Sequence, residues 1–173
     1  MQGMDKNDHQ PTNDFDSTLI QKTRTQLEQT GKLAELRKYW QHGRFSVYDH
    51  SLSVAELALR IARRLPFRFD EASLVRGALL HDYFLYDWHI PERGRPLHGF
   101  YHPKTALDNA RRDYGVNDTE SDIIRHHMFP LTLIPPRTRE GLVVCLADKI
   151  CAFRETLRRK PKINPSPGAK DAP

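Results

Sequence analysis

Seven of the chain's nine histidines fall between His50 and His127. Five of these, His50, His81, His102, His126 and His127, sit near the ends of expected helices, with carboxylates at Asp82 and Asp148 available to join them. Imidazole nitrogens and carboxylate oxygens are donors that hold a divalent first-row metal, and several helices must converge to surround one, since adjacent residues alone cannot. The neighbouring pair His81-Asp82 is the most informative element. Both side chains can turn toward one centre if the helix end points at it, and the two oxygens of Asp82 could bridge two ions. Taken alone, a His-Asp dipeptide is more often a surface or capping pair. A metal centre of this kind supplies a nucleophile at neutral pH and offsets negative charge that develops on a reacting group.

These groups must be positioned by helices. Ser17 can cap a helix to about Thr30, Gly31 breaks it, and Lys32 to Gln41 is expected to form a second. From Val47 to Leu65 the apolar residues Leu52, Ala55, Leu59 and Ala62 recur at helical spacing, with His50 in the first turn and Pro66 as terminator. Asp70 caps the next helix, whose apolar face, Leu74, Val75, Ala78 and Leu79, arrives at His81-Asp82. A loop with Pro91, Gly94, Pro96 and Gly99 leads to His102-Pro103, expected to open a helix to Tyr114. Asn117 or Thr119 begins a short helix through His127, and Thr138 to about Arg159 is the last, framed by Leu142, Leu146, Lys149 and Ile150. No segment alternates apolar and polar residues for long, so the fold class is all-α, a compact multi-helix bundle.

A length of 173 residues suits one domain. Residues 1–16 and 161–173 lack periodicity and are expected to be disordered tails around a single domain spanning 17–160. No apolar run approaches the ~18 residues that cross a bilayer, and Met1 to Ser17 is polar, so the expected location is cytoplasmic, with no membrane partner. Cys145 and Cys151 match no zinc or redox spacing and read as reduced packing residues. The formal charge of +5 fits either an anionic partner or a solvated basic face at Arg60, Arg63, Arg64, Arg158, Arg159 and Lys160. Nucleic acid is disfavoured as a partner, because no recognition helix or aromatic platform accompanies the charge.

The segments Val47-Tyr-Asp-His50, Gly77-Ala-Leu-Leu-His81-Asp82, Leu97-His-Gly-Phe-Tyr-His102-Pro103, Ile123-Ile-Arg-His-His127 and Leu146-Ala-Asp148-Lys149 follow one another in an order that resembles the HD superfamily of metal-dependent phosphohydrolases. The resemblance covers roughly residues 45–155. It implies that His50, His81, Asp82 and Asp148 hold a first metal, and that His102 with one of His126 and His127 holds a second, Asp82 bridging. Ile123 and Ile124 each stand three places before one of the tandem histidines, so spacing leaves both open. The run His127-Met-Phe-Pro130, which looks like small HD proteins, favours His127, with His126 behind it. Met128-Phe-Pro stands where the cyclic-di-nucleotide phosphodiesterases of the HD-GYP type would show their signature, so that activity is disfavoured. The ending Leu146 to Ile150 is similar to stand-alone HD hydrolases, including those acting on dinucleoside polyphosphates.

The resemblance implies attack of a metal-bound hydroxide on a phosphate ester or anhydride of a nucleotide or other small phosphorylated compound. One or two ions of Mn, Fe, Co, Ni or Zn would serve. Asp82, Asp87 and Lys104 are the expected catalytic groups. Asp87 lies in the aromatic stretch Tyr83-Phe-Leu-Tyr-Asp-Trp88 and could protonate the leaving oxygen if partly buried. Lys104 neighbours a ligand candidate, as do the expected substrate contacts Arg125 and Lys149; all three could instead point to solvent. Tyr83, Phe84, Tyr86 and Trp88 could stack on a base or pack in the core. His9, His42, His89 and His98 are expected at the surface, with His98 the foremost exception. Two other readings remain: a metal-containing module that senses a nucleotide or protein without turnover, and basic helices that bind nucleic acid.

Overall fold

The computed structural model of the chain describes residues 14–42, 45–87 and 98–158. Among these residues, six α-helices, one short 3-10 helix and a two-stranded antiparallel sheet follow in the order α1 (Asp14–Thr30), 3-10 helix (Leu33–Lys38), β1 (Trp40–His42), β2 (Phe45–Ser46), α2 (Val47–Arg64), α3 (Glu71–Leu80), α4 (His98–Tyr114), α5 (Asp118–His126) and α6 (Arg139–Leu157). The all-α expectation holds. The tail residues 1–13 and 161–173, together with Trp88 and His89, lie outside the described residues, as does the side chain of His42. Among the described residues no helix is long and apolar enough to cross a membrane.

Helix starts follow from local chemistry. Ser46 and Asp49 form a reciprocal capping box at α2, and Asn117 and Glu120 form another at α5, each satisfying amides that the first helical turn leaves without partners. Asp70 caps α3 through the Ser73 amide and hydroxyl, and Thr138 caps α6 through the Gly141 amide. α3 is buried along nearly its whole length and packs against α2, α5, α1 and α6. Gly77 allows its close approach to α5, for a Cβ there would stand 2.5 Å from Ile123 Cδ1. The core runs through Leu27, Leu36, Val54, Leu59, Leu79 and Ile124. Cys145 and Cys151 are buried and free, as packing residues would be.

Three local expectations are corrected. The first helix begins at Asp14, before Ser17. Lys32 to Gln41 is not one helix: the 3-10 turn stops at Lys38, Tyr39 is extended, and Trp40–His42 pairs with Phe45–Ser46. Tertiary contacts decide this segment, as the Lys32 and Leu33 amides donate to the Tyr83 and Tyr114 hydroxyls. Pro103 does not open α4 but lies inside it, the helix starting at His98. α6 turns its Leu142 and Leu146 outward, 53% and 52% exposed, and buries Val144, Ala147, Asp148, Cys151 and Glu155 instead. That rotation aims Asp148 and Glu155, the two buried carboxylates of α6, at α2.

Candidate metal centre

α3 delivers the central pair. Its last turn is buried on all sides, so His81 and Asp82, the two residues that follow, emerge into the middle of the bundle rather than at its surface. α2 contributes His50 from its first turn, α4 contributes His102, the end of α5 contributes His127, and α6 contributes Asp148. All six side chains are buried. Two triads share Asp82: His50, His81 and Asp82 offer donor atoms within 4.8 Å of one another, and so do Asp82, His102 and His127. Asp148 Oδ1 stands 3.0 Å from His50 Nε2 and 3.9 Å from His81 Nε2.

The imidazoles are oriented from behind. His81 Nδ1 donates to the Ala78 carbonyl at 2.7 Å, His102 Nδ1 to that of His98 at 3.0 Å, and His127 Nδ1 to that of Ile124 at 2.9 Å. A carbonyl only accepts, so each bond places the proton on Nδ1 and leaves the Nε2 lone pair facing inward. His50 is held differently, its Nδ1 lying 3.0 Å from the buried carboxylate of Glu155. Glu155 escapes a reading based on ligand types, although its place two helical turns after Asp148 puts it on the same face of α6. Gln41 of β1 also escapes it. Its amide nitrogen donates to Asp82 Oδ2 at 2.8 Å.

The fit to a cation rests on atoms left without partners. His81 Nε2 and Asp82 Oδ1 are buried and unpaired. His102 Nε2 and His127 Nε2 lie 2.8 Å apart, and with both protons committed to Nδ1 two lone pairs face each other, an arrangement that a shared cation relieves. Asp82 Oδ1 is 3.1 Å from His102 Nε2, yet the lone pair on that nitrogen has no proton to give it. The nitrogen and oxygen donors suit a divalent transition ion.

The surrounding charge is strongly perturbed. Burial raises the Asp82 carboxyl, but His81 and the adjoining His102 and His127 outweigh it and hold it well below the usual range. Asp148 is likewise held low, burial being overcome by His50 and the adjoining histidines. Burial pushes His81 down to about 4, so its imidazole is neutral at neutral pH, as a ligand must be. Burial also opposes a charge on His50, but Asp148 and Glu155 overcome it and raise that group to about 10.

The remaining candidates are placed as follows. Lys149 donates to the His127 carbonyl at 2.6 Å and to Asp148 Oδ2 at 3.2 Å, so it braces the centre's edge. Lys104 is exposed and pairs with Asp108 at 2.7 Å, away from the cluster. It lies on the outer face of α4, where the structure does not bring it to the six converging side chains. His126 and Arg125 are also not brought to the centre: His126 Nδ1 bonds to Asp122 at 2.8 Å, because successive helical residues lie ~100° apart and only one of the tandem histidines can face inward. Asp87 is half-buried beside Tyr39, whose hydroxyl burial and the nearby carboxylates push up. Tyr83 and Phe84 are core residues, with Tyr83 bonded to Asp113. His98 is half-buried and stacks on His102, with ring centroids 4.6 Å apart.

The HD domain family model matches residues 47–152, a span that includes all six converging side chains. No curated protein and no solved structure matches the chain.

Proposed function

The chain belongs to the HD domain family, and from that premise we propose that it is a metal-dependent phosphohydrolase acting on a phosphate ester or anhydride of a small phosphorylated compound, foremost a nucleotide. The observation that carries the reading is the pair of triads sharing Asp82, with inward-facing Nε2 atoms fixed by hydrogen bonds at Nδ1. His50, His81, Asp82 and Asp148 would hold one ion, and Asp82, His102 and His127 another, of Mn, Fe, Co, Ni or Zn. Such ions supply a nucleophile at neutral pH and compensate phosphoryl charge.

The chain's own residues do the rest. Buried imidazoles keep bulk water from the donor atoms, and Gln41 fixes the rotamer of Asp82. Lys149 holds a positive charge beside Asp148, where it favours an incoming phosphate. Asp87 is the carboxyl assigned to protonate the leaving oxygen. We place the protein in the cytoplasm, with no membrane or nucleic-acid partner.

The test is an assay of purified protein loaded with each metal against mononucleotides, dinucleotides and a generic phosphodiester. Phosphate release that disappears in Asp82→Ala supports the reading. Release from no substrate with any of the five metals, or turnover unchanged in Asp82→Ala, refutes it and leaves a metal-containing binding module.

A further inference from the structure

α5 sorts its residues onto two sides. Ile123, Ile124 and the following His127 face the core and the metal centre, whereas Asp122, Arg125 and His126 line a separate cavity of about 400 Å³. Its other walls carry Arg111 of α4 and Arg137 before α6. None of the six metal-ligand candidates reaches it.

The charges there do not balance. Among the described residues, Arg111, Arg125 and Arg137 form no ion pair. Two acids line the cavity, but Asp122 is fully engaged: its oxygens accept from the Arg137 amide at 2.9 Å, the Thr138 amide at 2.8 Å, the Thr138 hydroxyl at 2.7 Å and His126 Nδ1 at 2.8 Å. Only Asp118, exposed in the first turn of α5, remains to oppose three guanidinium groups. With Nδ1 of His126 committed to Asp122, Nε2 is the ring nitrogen left for a ligand.

We propose that this cavity is a second site, distinct from the metal centre, that binds a phosphate-bearing anion through Arg111, Arg125 and Arg137, with His126 Nε2 as an orienting contact. The planar fork of a guanidinium matches phosphate oxygens in a way a point charge does not. The cavity is of small-molecule size, roughly 300–1,000 Å³ being usual, so it has room for the sugar of a nucleotide beyond the phosphate group. The tandem histidines then serve two sites, one on each side of α5. This inference does not depend on the hydrolase reading, since it uses none of the centre's ligands.

The test is calorimetric titration of the metal-stripped full-length chain with inorganic phosphate and with AMP. Saturable binding is expected, weakened about tenfold in each of Arg125→Gln, Arg137→Gln and Arg111→Gln, and unchanged in Arg64→Gln, which removes equal charge elsewhere. All three cavity arginines are exposed, and native helical content by circular dichroism confirms each variant. AMP binding much tighter than phosphate identifies a nucleotide, and equal affinity identifies the phosphate group alone; both uphold the site. No saturable binding of either anion, binding insensitive to the three cavity variants, or binding that appears only after metal loading overturns it.

Discussion

The two halves of the metal centre share Asp82 and are otherwise built on different principles. The half around His50 carries its own anions: Asp148 faces Nε2 of that ring and Glu155 faces Nδ1. A proton on His50, whose pKa is raised to about 10 because these carboxylates outweigh the cost of burial, satisfies that half without any metal. The half around His102 and His127 has only Asp82, and both rings are pinned through backbone carbonyls with their Nε2 atoms 2.8 Å apart. One half has its own counter-charges for a proton on His50, and the other has two facing lone pairs that a cation would relieve.

Asp82→Asn strikes both halves and should have the largest effect. Metal content by mass spectrometry is expected to fall from two equivalents to nearly none, with turnover lower by about 10³-fold or more. His127→Ala and Asp148→Asn should each remove one equivalent, from opposite halves; loss of both ions in either variant would mean that the halves do not fill independently. Glu155→Gln keeps the shape and removes the charge behind His50. It is expected to weaken one equivalent by about 10–100-fold in a chelator competition, leaving the other unchanged.

The smallest effect concerns Asp122, a buried carboxylate that touches none of the six converging side chains. Burial raises its carboxyl, but hydrogen bonds from Thr138, His126 and Arg137 bring it below the ordinary value of 3.8. A carboxyl depressed in the folded state contributes stability above its unfolded pKa and loses it as pH falls through the folded one. Asp122→Asn should therefore lower the melting temperature at pH 7 and flatten its decline below about pH 4, whereas parallel melting curves for the two proteins would show that this charge does not stabilise the fold.

What the sequence makes legible follows from residue type and order. His50, His81-Asp82, His102, His127 and Asp148 stand out because their order along the chain, more than any one of them alone, matches a metal-ligand series. Helix caps at Asp70, Asn117 and Thr138 are equally readable, being local. Rotation of a helix is not local. Whether Arg125 and His126 face the centre depends on how α5 sits against α3, which the contact at Gly77 fixes, and the outward turn of Leu142 and Leu146 depends on α6 presenting Asp148 and Glu155 to His50. The start of the 3-10 turn is anchored by tyrosines some 50 and 80 residues away, beyond any window of periodicity. Gln41 gives no signal at all, for an amide in a short strand resembles any other.

Gln41 and Glu155 share one further property. Both lie just outside residues 47–152, the first before that span and the second after it. A chain cut to the family segment would keep every candidate ligand and lose both groups that hold Asp82 and His50 in register. The inventory of donor atoms and the means of aiming them occupy different stretches of the chain, so a change in the flanks could retune this centre without touching a single ligand.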